Sequence, residues 1–353
     1  MKIIRTATAA LGILALGTTM IQAEVSFVWA RVGDINNAPD PRNTADVPGI
    51  GSVSYVYDIA STGVTLNQYT EFLNAVAKTD SYGLYNTNMA TDLNVAGIAR
   101  VGENGSYTYT VIGSGLRPVT YVSWFDAARF ANWMANGQRT GVQDGTTTEN
   151  GAYSLWGANS GVNFTKNAIN PNTSAATTYW IPSENEWYKA AYYEVVDDPE
   201  SGEQIGKYWL YPTRSDLKPG NLIGGDLNQA NYKPDGGVYS VTQDTHYSAS
   251  QNYLSDVGAF TNSESYYVTY DQGGNVWEWN DAVIKGIDRG LRGGSWRDTE
   301  FLMESPNRSL ASFEGNNIGF RVAGSVVPEP STAGLILLGG AVYWLGRRGK
   351  VTL

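Results

Sequence analysis

The chain has 353 residues, with 34 Asp and Glu against 24 Lys and Arg, one His and no Cys. A formal charge of −10 argues against nucleic acid or an anionic membrane as a partner. The missing Cys excludes disulfides, thiol nucleophiles, Cys-ligated zinc, iron–sulfur clusters and Cys-bound copper. The single His excludes a His-rich iron or zinc site and leaves a Ser–His–Asp triad only through His246, which has no triad motif around it.

In chain order, residues 1–23 carry basic Lys2 and Arg5, an apolar run from Ala9 to Leu16, and Ala23 at a small-residue cleavage point. This is the pattern of a secretory signal peptide, and the run is too short to span a bilayer. VSFVWARVGD and SVSYVYDI read as strands either side of the breaker cluster PDPRNTADVPGIG. VTLNQYTEFLNAVAK reads as a helix. Thr65 and Gln68 form a capping box there, and Tyr69, Phe72, Leu73 and Val76 fall on one face.

A second helix is expected in YVSWFDAARFANWMANG, capped at Ser123, with Asp126 in its first turn and Gly137 at its end. Ala127, Phe130, Trp133 and Met134 form its expected buried face. A third begins in IPSENEWYKAAYYE, where Ser183 and Glu186 form another capping box. From about residue 195 to 325 the texture turns to Gly, Asn, Asp and Tyr with few periodic runs. Without disulfides, such a stretch needs metal ions or buried Trp and Arg side chains to hold it. Counts of 40 Gly, 23 Tyr and 11 Trp fit loops and short strands better than a helical bundle.

The C-terminus reads VPEPSTAGLILLGGAVYWLGRRGK. The triplet Pro328, Glu329, Pro330 precedes about fourteen mostly apolar residues, then Arg347, Arg348 and Lys350. An extended breaker, a short hydrophobic helix and retained positive charges follow in that order. This arrangement resembles the PEP-CTERM sorting signal of bacteria that carry exosortase and make exopolysaccharide. The resemblance implies export through the inner membrane, where signal peptidase acts at Ala23. It further implies transient anchoring by the C-terminal transmembrane helix and cleavage near the triplet by an exosortase-type enzyme. The end point would be the cell surface or extracellular matrix. The expected divisions are 1–23, a domain at 24–325, and the sorting segment 326–353. For residues 24–327, 19 positive against 33 negative residues leave a charge of −14.

The segments VTLNQYTEFLNA, RPVTYVSWFDAARFANWMA, YWIPSENEWYKAAYY, GGNVWEWND, LRGGSW and IGFRVA occur in that order. Together they resemble the formylglycine-generating enzyme, or sulfatase-modifying factor, family over roughly residues 50–325. That family implies a compact α+β fold related to C-type lectins, low in regular secondary structure and containing calcium. Its catalysts oxidise a sulfatase cysteine with O2 and copper held by two cysteines shortly after RGGS. Here the first such position is Asp298, three residues after Ser295, and the second lies near Met303. Carboxylates hold Cu(I) poorly, so no copper is expected.

The resemblance also implies a calcium loop in TYDQGGNVWEWN, with Asp271, Gly274, Val276 and Glu278 as ligands. The chemistry is consistent, since calcium needs a backbone curled around it to supply carboxylates and carbonyls, and Gly273 and Gly274 allow positive φ. The alternative is that Asp271 and Glu278 cap turns or pair with arginines. A second implied calcium site takes Asn231 and Tyr232, then Asp244 and His246. Arg292, Arg308 and Arg321 read as structural.

The expected function is a non-catalytic, calcium-stabilised binding or structural module that meets exopolysaccharide or other surface proteins, with no nucleic-acid role. The alternative is an enzyme of the same superfamily with a non-cysteine mechanism, using Asp298, Glu300 and Glu304.

Overall fold

A computed structural model describes residues 24–42 and 49–325. Ala23, Pro328, Glu329 and Pro330, with both expected targeting segments, lie outside the described residues. Among the described residues no helix is long and apolar enough to cross a membrane.

The three expected helices form at Leu66–Val76, Trp124–Ala135 and Glu184–Tyr192. Each starts at a reciprocal box: Thr65 with Gln68, Ser123 with Asp126, Ser183 with Glu186. In each, the cap side chain accepts from the N3 amide while the N3 side chain accepts from the cap amide, worth about 1 kcal/mol per cap. Gly137, at φ +77°, follows the second helix as expected.

The second helix departs from its expected one-sided character, because all twelve of its residues are buried. It runs through the middle of the molecule. Phe130 packs edge-on against Phe72 at 5.3 Å and against Phe320 at 5.4 Å. On its other side Asn132 donates to the carbonyls of Thr148 and Tyr153 and accepts from the Tyr153 amide. One turn on, Asn136 grips the carbonyls of Thr147 and Asn150. Polar residues at i and i+4 thus replace a sheet as the support for the loops beyond residue 140.

Two four-stranded sheets complete the α+β frame. The first joins Trp29–Val32, Tyr57–Ala60, Ala323–Gly324 and Tyr179–Trp180, so both ends of the described chain meet at Ile59, which lies opposite Ala323. The second joins Ser309–Ala311, Asp288–Arg292, Trp277–Ile284 and Ile318–Gly319. Trp277–Ile284, at eight residues, is the longest strand described, and it lies within the stretch expected to be irregular. WEWN is buried at every position, so it lacks the alternation that marks a half-exposed strand.

Candidate functional site

Residues 268–278 descend as a strained loop into that strand. Val268, Asp271, Gly274 and Asn275 all take positive φ. Gly273 does not; its glycine is required for closeness, because a Cβ there would meet Pro212 at 2.8 Å. The curl expected of two glycines is made instead by Asp271, Gly274 and Asn275, the side-chain types that tolerate the left-handed region best. A Cβ at Gly274 would lie 2.3 Å from the Asn231 carbonyl oxygen, which accepts the Asn275 amide at 2.7 Å.

Glu278 leaves the loop and enters the core. Its Oε2 accepts from Arg321 Nε at 2.5 Å and Trp187 Nε1 at 2.6 Å; its Oε1 accepts from Arg321 Nη2 at 2.7 Å. Arg321 spends its other donors on the carbonyls of Ala60, Ser61 and Tyr270. Both side chains are sealed from solvent, and one guanidinium thereby fixes the first sheet, the loop and the strand together.

Asp271 is different. Among the described residues its carboxylate has one hydrogen-bond donor, the Gly258 amide at 2.7 Å. Burial, opposed by that amide and by the charge of Arg321, pushes it up to about 6. A cavity of about 10 Å³ lies against it, lined also by Thr213, Gln229, Ser263, Thr269 and Gln272. That is room for one water-sized occupant.

The fit to calcium is therefore partial. Asp271 has the spare oxygen capacity that a hard cation needs, whereas the Glu278 carboxylate is committed to Arg321 and Trp187. Val276 turns its side chain into a small core with Val95, Tyr239, Tyr253, Leu254 and Trp296.

The second expected set divides between buried and exposed positions. Asn231 is buried and donates to Asn275 Oδ1, Tyr253 O and Ser255 Oγ, and the buried Tyr232 donates its hydroxyl to Pro219 O. Asp244 and His246 stand exposed at the surface, where Asp244 Oδ1 faces the His246 amide and Nδ1, each at 2.9 Å. Among the described residues no three His, Cys, Asp or Glu side chains cluster as a metal-holding group.

The positions after RGGSW are filled by structural contacts. Asp298 Oδ2 accepts from Trp277 Nε1 at 2.8 Å and from the Ser295 hydroxyl at 2.5 Å. Met303 is fully buried, and its carbonyl accepts the Tyr192 hydroxyl. Glu300 pairs with Lys218 at 2.6 Å, and Glu304 accepts from Tyr211 at 3.0 Å. The three carboxylates proposed for acid–base chemistry thus each face a different partner. Arg292 and Arg308 both bind Glu184, and Arg292 also holds the carbonyls of Ser305 and Asn307, as structural arginines should.

Trp187 and Asn275 are the members of this site that sequence reasoning missed. Trp187 lies 91 residues before Glu278, and nothing local in the third helix marks its indole as the partner.

Residues 27–326 match the family described as sulfatase-modifying factor enzyme 1-like domain. Among solved structures, the chain is similar to CarF, at 18% identity and TM-score 0.46, covering 86% of this chain and 99% of that one. Treponema denticola variable protein 1 is similar at 17% identity and TM-score 0.46, covering 86% and 97%. PvdO from Pseudomonas aeruginosa is similar at 17% identity and TM-score 0.44, covering 84% and 94%.

Proposed function

Because the chain belongs to the sulfatase-modifying factor enzyme 1-like family, we propose that it keeps the family scaffold as a binding module and not the copper-dependent oxidation. The observation that carries this reading is the empty thiol chemistry: no Cys exists in the chain, and Asp298 is held by Trp277 and Ser295. A soft Cu(I) ion has no thiolate to bind, and the side chain in its place is already satisfied.

The module is exported, released by an exosortase-type enzyme, and works at the cell surface or in the matrix. Its partner is exopolysaccharide. The family scaffold, the acidic balance and the C-terminal triplet support this reading together. Calcium belongs to it through Asp271 and the carbonyls of Gly274 and Val276, with Glu278 kept by Arg321. Asp271's single hydrogen-bond donor supports that assignment.

A polysaccharide array probed with the purified protein, in calcium and then in chelator, tests the reading. Binding to at least one polysaccharide is expected, and a uniformly blank array overturns it. Calcium is tested separately by melting temperature. A rise with calcium that Asp271→Asn abolishes is expected, and no rise in the wild type removes the ion from the account.

A further inference from the structure

Trp156 is 67% exposed, and its backbone sits at φ +48°. The left-handed region is costly for a residue with a bulky side chain, so something must hold it there. That something is Glu149. Its carbonyl accepts the amides of Leu155 and Trp156 at 2.8 and 3.3 Å, and its carboxylate accepts the Gly157 amide at 2.8 Å. Glu149 in turn is fixed by the fully buried Arg129, at 2.7 and 3.0 Å. A sealed ion pair on the central helix therefore props up a strained turn whose visible product is an indole facing water.

The ring is braced as well as raised. Its six-membered edge lies over Gly145, where an added Cβ would sit 3.1 Å from the indole. Around it stand hydrogen-bonding groups. Asp144 and Thr146, the chain neighbours of Gly145, are exposed, as is Asn159 three residues beyond Trp156, and Tyr82 lies beside Gly157. Asn159 and Tyr82 are themselves tied to Arg129, by a 2.7 Å hydrogen bond and by a ring lying 4.5 Å from the guanidinium.

We infer that Trp156 is the stacking platform for a neutral, β-linked pyranose chain, with Asp144, Thr146 and Asn159 placed to meet its hydroxyls. This rests on the proposed polysaccharide function and gives it a location. A flat pyranose with equatorial substituents presents a C–H face that fits a rigid indole, and the polar surround matches its edge. A protein partner would call for a wider apolar patch around the ring. An anionic glycan is disfavoured, because the chain is acidic and the Thr146 hydroxyl holds Asp144 below the usual carboxylate range, charged at neutral pH.

Titration calorimetry with cellohexaose, chitohexaose and laminarihexaose, plus an alginate oligomer as the anionic control, tests the site. Wild type, Trp156→Gly, Trp156→Phe and Tyr247→Ala are compared. Tyr247 is the control, being another exposed aromatic elsewhere on the surface. The expected result is binding of a neutral oligomer that weakens at least tenfold in Trp156→Gly, partly returns in Trp156→Phe, and is unchanged in Tyr247→Ala. The melting temperature of Trp156→Gly should not fall, since glycine relieves the strained φ. Binding that Trp156→Gly retains in full overturns the Trp156 site and leaves the polysaccharide function standing. Preference for alginate overturns the neutral-chain assignment. No binding to any oligomer, with a blank polysaccharide array, overturns both.

Discussion

Glu278 and Arg321, 43 residues apart, form a bidentate ion pair with both side chains almost wholly out of solvent. It joins the two signature segments GNVWEW and GFR, and it decides how the dense stretch TYDQGGNVWEWN should be understood. The carboxylate most like a catalytic or metal-binding group is used to hold three backbone segments in place.

Neutralising one partner leaves the other charged and buried. Glu278→Gln keeps the shape but strands the Arg321 guanidinium, at a cost of about 3–5 kcal/mol. Equilibrium unfolding in urea measures it. A loss below about 1 kcal/mol would show that the pair is dispensable.

The loops past residue 140 depend on Asn132, which is fully buried and makes three hydrogen bonds to Thr148 and Tyr153. Asn132→Ala leaves two carbonyls and one amide unpaired, each costing about 1–3 kcal/mol. The variant should unfold earlier and be cut by protease between residues 141 and 177 before the rest of the domain. Cleavage starting elsewhere would argue that Asn132 does not anchor this region.

The pH dependence has a definite sign. Burial, the largest influence on each, raises Asp126 and Asp281 to about 7 and Asp271 to about 6, from an ordinary 3.8. Between the unfolded and folded values the native state binds more protons, so stability falls as pH rises from about 4 to about 7. Asp144, Glu194 and Glu300 are shifted the other way, and their contribution is lost as pH falls through their folded values. Without calcium, the melting temperature should peak on the acid side of neutrality. Asp126→Asn, which keeps an acceptor for the Ser123 amide, should flatten the decline. A melting temperature that climbs steadily from pH 4 to 7 would contradict the burial of these groups.

The capping boxes at Thr65 and Ser183 and the cap at Ser123 were legible because each is decided within four residues, whereas the return bond from Asp126 to the Ser123 amide emerged only in the fold. The structural arginines were legible because a buried guanidinium must spend its donors. What could not be read depends on distance along the chain. Trp187 reaches Glu278 across 91 residues, and Asn231 meets Asn275 across 44. The strand at Trp277 was hidden because burial on both faces erases alternation. Of the two glycines expected to make the curl, Gly274 takes positive φ, whereas Gly273 answers to the nearby Pro212 ring, a closeness that only the folded chain creates.

The proposed function keeps this scaffold without copper-dependent oxidation. Oxygen consumption by the purified protein, loaded with copper and given a Cys-containing sulfatase peptide, tests it most directly. Uptake no faster than with the peptide and copper alone is expected, in wild type and in Asp298→Ala alike. Protein-dependent uptake with conversion of the peptide cysteine to formylglycine would contradict it.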